Sequence, residues 1–512
     1  MNPKCARGCR ASPRDELHDS LSTRAERSDS SNSSLRRDPM TKRIKILIVT
    51  DSPALPTGLA ETTRLIFSNL LAKYPDQYEI HQIGLFQCYA VTTPQWPVYP
   101  TMTFKNRQGT LEFTPEDKYG HKTFLRLLPK VQPEIVFAFG DPQTVLYLCL
   151  PPKQRRYRLM LYVNFDGLPM TPDYGPILNN ADLIFTKSEF SMEVVARCLP
   201  MVGRDKLGYR YSPADVQRFA PVPEATGLEM RRDLFPSWMP PSGFVLGWIG
   251  RNQWRKQVWL LYKILHYLRT GEYLVCQTCG RVSLFDWDPA RQAHLNSVPL
   301  VLESRPGYRY DRCTHCGSLE AEPASPLADV FLWLHMPEEP EEAWPSRLLE
   351  QQFGLRRDRD LYYTPDHGLK SALAPDDVPM LYRIWDGLLF LSGGEGFGLP
   401  AWEAMCSALP VVYTNYSAHG EFLSRADAGL PVGGILQPEA KTCIWRMVAD
   451  VPQAVEAVRK LYYDRALARR LGENGRSFAE QFAIETQVDA WHRTFGELAQ
   501  VAPAVCGSVP GA

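Results

Sequence analysis

Short runs of β-branched and aliphatic residues alternate with segments of helical periodicity along most of this chain. The first run, residues 44–49, reads Ile-Lys-Ile-Leu-Ile-Val and predicts a buried parallel strand. A glycine loop follows, and Leu59, Ile66 and Leu70 after it recur at helical spacing. Further strand candidates lie at 83–86, 135–139, 160–163 and 183–186. Such alternation predicts an α/β fold, a parallel sheet with helices on both faces.

The same alternation begins again after a proline-rich stretch between residues 221 and 241. Strand candidates of this second set lie at 244–249, 330–334, 387–391 and 410–413. We therefore predict two Rossmann-like domains, one over residues 44–222 and one over 243–484. Residues 485–500 predict a last helix, which we expect to pack back on the first domain. Its apolar stripe consists of Val488, Trp491, Phe495 and Leu498.

Composition limits the cellular setting. The 512 residues carry 57 basic and 57 acidic side chains, a balance that argues against a large surface for nucleic acid or anionic membrane. No run of eighteen apolar residues and no apolar signal segment occur, so we expect a cytoplasmic protein without a transmembrane segment. Residues 1–43 are rich in Ser, Arg and Asp and predict a disordered tail.

The segment 392–405, Ser-Gly-Gly-Glu-Gly-Phe-Gly-Leu-Pro-Ala-Trp-Glu-Ala-Met, predicts a ligand site at a strand end. Its glycines let a ligand approach the backbone, and Pro400 falls in the first helical turn, where free N–H groups favour phosphate or sugar oxygens. Glu395 before the helix and Glu403 inside it are placed to accept hydrogen bonds from hydroxyls. We expect that replacing Glu395 abolishes activity with little change in melting temperature.

A second loop, residues 250–256, supplies cations. Arg251 and Lys256 lie between a strand and a helix, and two such charges suit a diphosphate leaving group. Because no Asp-x-Asp motif ends a strand, we expect these cations to replace a catalytic metal.

Together these residues resemble the retaining glycosyltransferases of GT-B fold, glycosyltransferase family four, also called glycosyl transferases group 1. The resemblance covers residues 44 to about 498 except for one insertion. Glu395 and Glu403 match the family's Glu-x7-Glu signature, and Arg251 and Lys256 match its phosphate-binding pair in type and spacing. Gly58 resembles the glycine with which the first domain touches the diphosphate, and residues 215–221 resemble the segment before the interdomain linker.

The resemblance implies a function and a set of roles. The chain would transfer a sugar from a nucleotide diphosphate sugar, with retention of configuration, to an acceptor hydroxyl of a glycan, small molecule or macromolecule. Glu395 would contact the donor sugar, Glu403 the ribose, and Arg251 and Lys256 the diphosphate. The other donor-binding residues would be Gly58, Gly396, Phe397, Gly398 and Leu399. Many members carry a histidine where this chain offers Asp166, which is a candidate to orient or deprotonate the acceptor hydroxyl.

Two Cys-x-x-Cys pairs predict a structural zinc site with four cysteine ligands, Cys276, Cys279, Cys313 and Cys316. They lie within residues 273–325, which interrupt the second domain and predict an inserted zinc ribbon. Such ribbons often bind nucleic acid, but Arg and Asp or Glu residues alternate between the pairs, so nucleic acid is a weak candidate partner.

Structural interpretations and other functions stay open beside these. The glycine loop, Gly58 and Asp166 could each serve only a turn, and the cysteines could be clustered thiols. The chain could be a non-catalytic scaffold that presents the zinc ribbon to a protein or nucleic acid. It could also be a nucleotide-sugar epimerase or glycosyl phosphorylase on the same architecture.

Overall fold

The structure is a computed structural model, and it describes residues 42–86, 91–92, 95–102, 117–284, 315–316, 318, 321–337, 343–365, 373, 375–440 and 442–500. Except for Lys42 and Arg43, the tail predicted to be disordered lies outside these residues.

The described residues of the first half form eight strands and five α-helices. The strands are β1 (Ile44–Asp51), β2 (Tyr78–Leu85), β3 (Val91–Thr92), β4 (Pro97–Pro100), β5 (Ile135–Gly140), β6 (Arg158–Val163), β7 (Leu183–Thr186) and β8 (Leu207–Tyr209). The helices are α1 (Gly58–Lys73), α2 (His121–Val131), α3 (Pro142–Val145), α4 (Tyr174–Leu178) and α5 (Glu189–Cys198).

These strands form one sheet in the order β3-β4-β2-β1-β5-β6-β7-β8, which we call the first lobe together with its helices. All neighbours are parallel except β3 and β4. The predicted strands are confirmed, but β2 begins at Tyr78 and not at Ile83. Its polar residues Glu79 and His81 are only partly buried and alternate with buried apolar ones, so the apolar run detects only its end.

In the part of the second half that the structure describes, there are eleven strands and nine α-helices. The strands are β9 (Phe244–Ile249), β10 (Tyr273–Cys276), β11 (Val282–Leu284), β12 (Ala321–Pro323), β13 (Val330–His335), β14 (Leu361–Tyr363), β15 (Gly387–Phe390), β16 (Val411–Thr414), β17 (Gly429–Val432), β18 (Gly434–Pro438) and β19 (Trp445–Ala449). The helices are α6 (Glu224–Leu234), α7 (Trp259–Thr270), α8 (Ser346–Gln352), α9 (Val378–Ile384), α10 (Leu399–Cys406), α11 (Ser417–Ala426), α12 (Val451–Tyr463), α13 (Arg465–Glu480) and α14 (Ile484–Gln500).

Six of these strands form the sheet of the second lobe, in the order β14-β13-β9-β15-β16-β17, with every pair parallel. The order reverses at β9, so the loops after β9 and β15 leave neighbouring strands at the carboxyl edge, where such sheets bind ligands. Two small antiparallel sheets are separate from it. Strands β10, β11 and β12 lie within the predicted insertion, whereas the hairpin β18–β19 was not predicted.

The C-terminal helix α14 packs on the first lobe. The ring centroids of Trp491 and Tyr162 are 5.3 Å apart, and those of Phe495 and Phe67 are 5.7 Å apart. The chain therefore crosses between lobes twice, and the crossings pair with each other. The Ala214 N–H donates to the Phe482 carbonyl at 2.8 Å, and the Ile484 N–H donates to the Ala214 carbonyl at 3.1 Å.

None of the described helices combines the length and apolar character needed to cross a lipid bilayer.

Candidate active site between the two lobes

The glycine loop between β15 and α10 is packed too tightly for side chains at several positions. Gly398 has a φ of 102°, which favours glycine, and precedes α10. A Cβ on Gly396 would lie 2.8 Å from the Cβ of Asn164 in the first lobe. The backbone of the loop thus contacts the first lobe, and α10 begins beside this contact.

Gly58 meets the same loop from the other side. Thr57 caps α1, and its hydroxyl accepts from the Ala60 N–H at 3.3 Å. A Cβ on Gly58 would lie 2.7 Å from Leu399 Cδ1, the first residue of α10. The N-termini of α1 and α10 therefore converge across the cleft between the lobes, where the positive ends of both helix dipoles meet. In α10 the N–H groups of Ala401 and Trp402 donate to the Gly398 carbonyl and Pro400 has no N–H, so Leu399 carries the N–H that this first turn offers.

Glu395 is the centre of the charged part of the site. Its carboxylate is 5% exposed and forms ion pairs with Lys256 through Oε1 and with Arg255 through Oε2, the latter at 2.8 Å. Its backbone N–H donates to Ser417 Oγ at 2.9 Å. Burial alone would raise the pKa of Glu395, but Arg255 and Lys256 hold it well below its ordinary value, so the group is ionised. Burial lowers the pKa of Lys256, although Glu395 partly offsets this.

Arg255 is the residue that the sequence interpretation missed. Its guanidinium contacts Glu395 and also donates to the Gly394 carbonyl at 2.9 Å, whereas Arg251 is exposed. The charge of Arg251 acts on Asp51 at the end of β1: burial raises the pKa of Asp51, and the Thr57 hydrogen bond and Arg251 partly lower it. Arg251, Arg255 and Lys256 therefore all supply positive charge from this loop, and we call these three residues the cationic wall. Arg255 is visible in the loop sequence Arg-Asn-Gln-Trp-Arg-Lys. The sequence prediction relied on the spacing from Lys256, and that spacing matches Arg251 instead.

Asp166 enters the same network from the first lobe. Its Oδ2 atom lies 3.1 Å from Arg446 Nη1 on β19 and 3.9 Å from Arg255 Nε. Arg446 in turn contacts Glu439 at 3.2 Å. The charges alternate in sign along a continuous row, which we call the charge row. Its members are Lys256, Glu395, Arg255, Asp166, Arg446 and Glu439.

Glu403 is one turn inside α10 and is separate from the charge row. Its Oε2 accepts from the Tyr382 hydroxyl at 2.5 Å. Burial raises its pKa to about 7; the Tyr382 hydrogen bond works in the opposite direction, and Glu61 of α1 adds to the rise. Glu403 therefore lies within electrostatic range of Glu61 on α1.

Phe397 is the aromatic residue of the glycine loop, and its contact with the donor stays a prediction. Its side chain is buried and packs against Trp402 and Phe422, with centroid separations of 5.2 and 5.1 Å. Its ring also lies 5.0 Å from Lys187 Nζ of the first lobe. The side chain is therefore part of the core, and only the backbone of Phe397 borders the loop.

Three of the four predicted metal ligands lie together. The sulfur atoms of Cys276, Cys279 and Cys316 are within 4.8 Å of one another, and those of Cys276 and Cys316 are 3.6 Å apart. Cys313 lies outside the described residues. The Cys279 N–H approaches Cys276 Sγ at 3.4 Å, as in a tight turn that directs two thiols to one point. These sulfurs fit a soft metal ion such as zinc.

Comparison with known proteins agrees with this geometry. Residues 364–478, which include the glycine loop, α10 and the hairpin, match the family described as glycosyl transferases group 1. This part of the chain is therefore similar to a glycosyl transferases group 1 domain. No curated protein matches it.

Several solved structures share the two-lobed arrangement. Sucrose-phosphate synthase from Thermosynechococcus elongatus is 15% identical, and the alignment covers 89% of this chain and 99% of that one, with a TM-score of 0.61. HepE of Anabaena, in complex with UDP and glucose, is 15% identical over 89% of this chain and 100% of its own, with a TM-score of 0.56. A glycosyltransferase from Rickettsia africae is 12% identical over 90% and 100%, also with a TM-score of 0.56. At these identities the likeness establishes the GT-B fold, which confirms the predicted fold class.

Proposed function

We propose that this protein transfers a sugar from a nucleoside diphosphate donor to an acceptor hydroxyl, with retention of anomeric configuration and without a catalytic metal. The observation that carries the proposal is the buried Glu395 carboxylate between Lys256 and Arg255, beside the N-terminus of α10. The similarity of residues 364–478 to a glycosyl transferases group 1 domain supports nucleotide-sugar transfer.

The donor would lie along the carboxyl edge of the second lobe. Lys256, Arg255 and Arg251 supply positive charge, and the first turns of α1 and α10 add the positive ends of their helix dipoles, so the departing diphosphate meets fixed positive potential. Glu395 would accept hydrogen bonds from sugar hydroxyls. Glu403 would accept from the ribose in its ionised form, with Tyr382 holding its orientation.

The cations on this wall favour a mechanism without a metal, because they can neutralise the charge that develops on the leaving phosphate. Retention follows if both bonds change on one face of the sugar. The bond from the anomeric carbon to the phosphate oxygen breaks, the bond to the acceptor oxygen forms, and the acceptor proton moves to the departing phosphate oxygen. Asp166 is paired with two arginines, so we assign it to orienting the acceptor and not to attack on the sugar.

UDP is the first nucleotide to test, because HepE, which shares the fold, has been solved with UDP and glucose. We propose a structural zinc ion at Cys276, Cys279 and Cys316, with Cys313 as fourth ligand. A reducing compartment such as the cytoplasm would preserve these thiols, since no disulfide joins the cysteines in the described part of the chain.

A donor screen tests the proposal. Wild-type protein should slowly hydrolyse one nucleotide sugar, observed as free sugar and nucleoside diphosphate by mass spectrometry, and should do so without added divalent cations. Lys256→Met should weaken nucleoside diphosphate binding by about 1.5–3 kcal/mol, the value of a charge-assisted hydrogen bond. The matched control is Lys460→Met, an exposed lysine that pairs with Glu456 within its own helix. Equal affinity in both variants would contradict the proposal, and NMR of the transfer product would test retention. Nucleotide binding without turnover would favour the scaffold function.

A further inference from the structure

The hairpin β18–β19 packs directly on the glycine loop, although nothing in the loop's motif requires it. The Met447 N–H of β19 donates to the Gly393 carbonyl at 3.0 Å, and Gln257 Nε2 donates to the Met447 carbonyl at 2.7 Å. A Cβ on Gly393 would lie 2.4 Å from Gln257 Nε2 and 3.2 Å from Arg446 Cβ. Gln257 and Arg446 therefore converge on the backbone of Gly393, two residues before Glu395.

Both side chains are more than nine-tenths buried, and each retains a polar atom without a partner. Gln257 is 5% exposed and Arg446 is 8% exposed. Gln257 Oε1 and Arg446 Nε have no hydrogen-bond partner among the described residues, although the other polar atoms of both groups are used. A buried polar atom without a partner destabilises a protein. The presence of two such atoms beside Gly393 therefore indicates that a bound molecule supplies their partner.

The two atoms have complementary chemistry. The Gln257 carbonyl oxygen can only accept a hydrogen bond, and the Arg446 Nε–H can only donate one. A hydroxyl group is both donor and acceptor, so sugar hydroxyls match the chemistry of both atoms. Gly394 allows Arg446 and Asp166 to approach the loop closely. A Cβ on Gly394 would lie 3.0 Å from Arg446 Nη1 and 2.5 Å from the Asp166 carbonyl oxygen.

We propose that Gln257 and Arg446 form a subsite that binds hydroxyls of the transferred sugar, and that the hairpin β18–β19 thereby helps to select the donor. This inference rests on the proposed function. Glu395 binds one part of the sugar from the far end of the loop, and the pair at Gly393 binds another. Arg446 has a second task, since its Nη1 atom holds Asp166 on the acceptor side.

The test compares affinity for a nucleotide sugar with affinity for the nucleotide alone. Calorimetry with UDP and UDP-glucose, and with GDP and GDP-mannose, gives for each protein the ratio of the two dissociation constants. Arg446→Lys keeps a positive charge for Asp166 but has no Nε–H, and Gln257→Met keeps the volume but has no amide. In each variant the ratio of the nucleotide Kd to the nucleotide-sugar Kd should fall about five- to tenfold, which is the effect of one lost hydrogen bond. The affinity for the nucleotide alone should stay unchanged. Ile435→Thr is the matched control, an exposed residue of the same hairpin.

The outcomes separate this inference from the proposed function. If both variants keep the wild-type ratio, or lose nucleotide and nucleotide sugar equally, a water molecule or the fold alone accounts for the two atoms and the subsite is wrong. If the wild type binds no nucleoside diphosphate in the donor screen, the proposed function itself is contradicted, whereas a different nucleotide from that screen replaces UDP and GDP in this comparison. Monodeoxy analogues of UDP-glucose add a second readout: one of them should bind the wild type more weakly than UDP-glucose and bind Gln257→Met as well as UDP-glucose does.

Discussion

Replacement of Glu395 by glutamine tests both the chemistry and the stability of the site. The carboxylate is buried and neutralises Lys256, which is 9% exposed, together with Arg255. Removal of one partner from a buried ion pair costs about 3–5 kcal/mol. Arg255 keeps Gly394 and Asp166 as partners, and the amide oxygen can still accept one bond, so we expect about 3 kcal/mol, the lower end of that range.

That loss corresponds to a decrease of about 6–12 °C in the melting temperature of the second lobe, using the sensitivity of units of about 150–250 residues. The effect should depend on pH with a defined sign. The pKa of Glu395 is lowered from an ordinary value of 4.5, so its contribution to stability is present above that value and disappears as the pH falls through the lower folded-state pKa. The difference in melting temperature between wild type and variant should stay constant above about pH 6 and become smaller at acid pH.

Thermal unfolding followed by circular dichroism, at a series of pH values, measures this directly. Asp358→Asn is the control, because it removes an exposed pair with Arg356 and should change the melting temperature by about 1 °C or less. A shift of less than about 2 °C for Glu395→Gln near neutral pH would refute the ion-pair reasoning. Transfer activity should be lost in either case.

Three further predictions concern other parts of the molecule. Gly58→Ala should raise the donor KM, because its Cβ would meet Leu399 Cδ1 at 2.7 Å, and a second change, Leu399→Ala, should restore the KM; failure of that rescue would refute the contact. Donor affinity should rise with pH through about 7 as Glu403 ionises, and Tyr382→Phe should move this midpoint upward, since the Tyr382 hydrogen bond lowers the pKa; a downward shift would contradict the assignment. Chelation should release one zinc ion per chain and lower the melting temperature, whereas Cys276→Ser protein that retains full zinc content would exclude this ligand set.

The architecture was predictable because its strands are buried on both faces. Such strands appear in a sequence as unbroken aliphatic runs, and β1, β9 and β15 were located in this way. The hairpin β18–β19 escaped notice for the opposite reason. All five residues of β18 are exposed, so neither an apolar run nor an alternating pattern marks them.

The site was predictable only in part. The glycine loop carries its own signal, since the backbone conformation at Gly398 and the contact at Gly396 exclude side chains. Spacing could not reveal that Arg255, and not Arg251, reaches Glu395, because this depends on how the loop folds over the second sheet. The sequence led us to expect little change in melting temperature on replacing Glu395, because its two buried ion pairs could not be foreseen. Their partners, Lys256 and Arg255, precede Glu395 in the sequence by 139 and 140 positions. The distinct roles of Asp166, domain boundaries and acceptor remain predictions.

The most direct test of the central claim is a crystal structure of the protein with UDP and a nonhydrolysable UDP-sugar. Our account predicts the diphosphate within hydrogen-bonding distance of Lys256 Nζ and the Leu399 N–H of α10, with Glu395 on the sugar. Nucleotide bound outside the cleft, with the ion pairs of Glu395 unchanged, would contradict it.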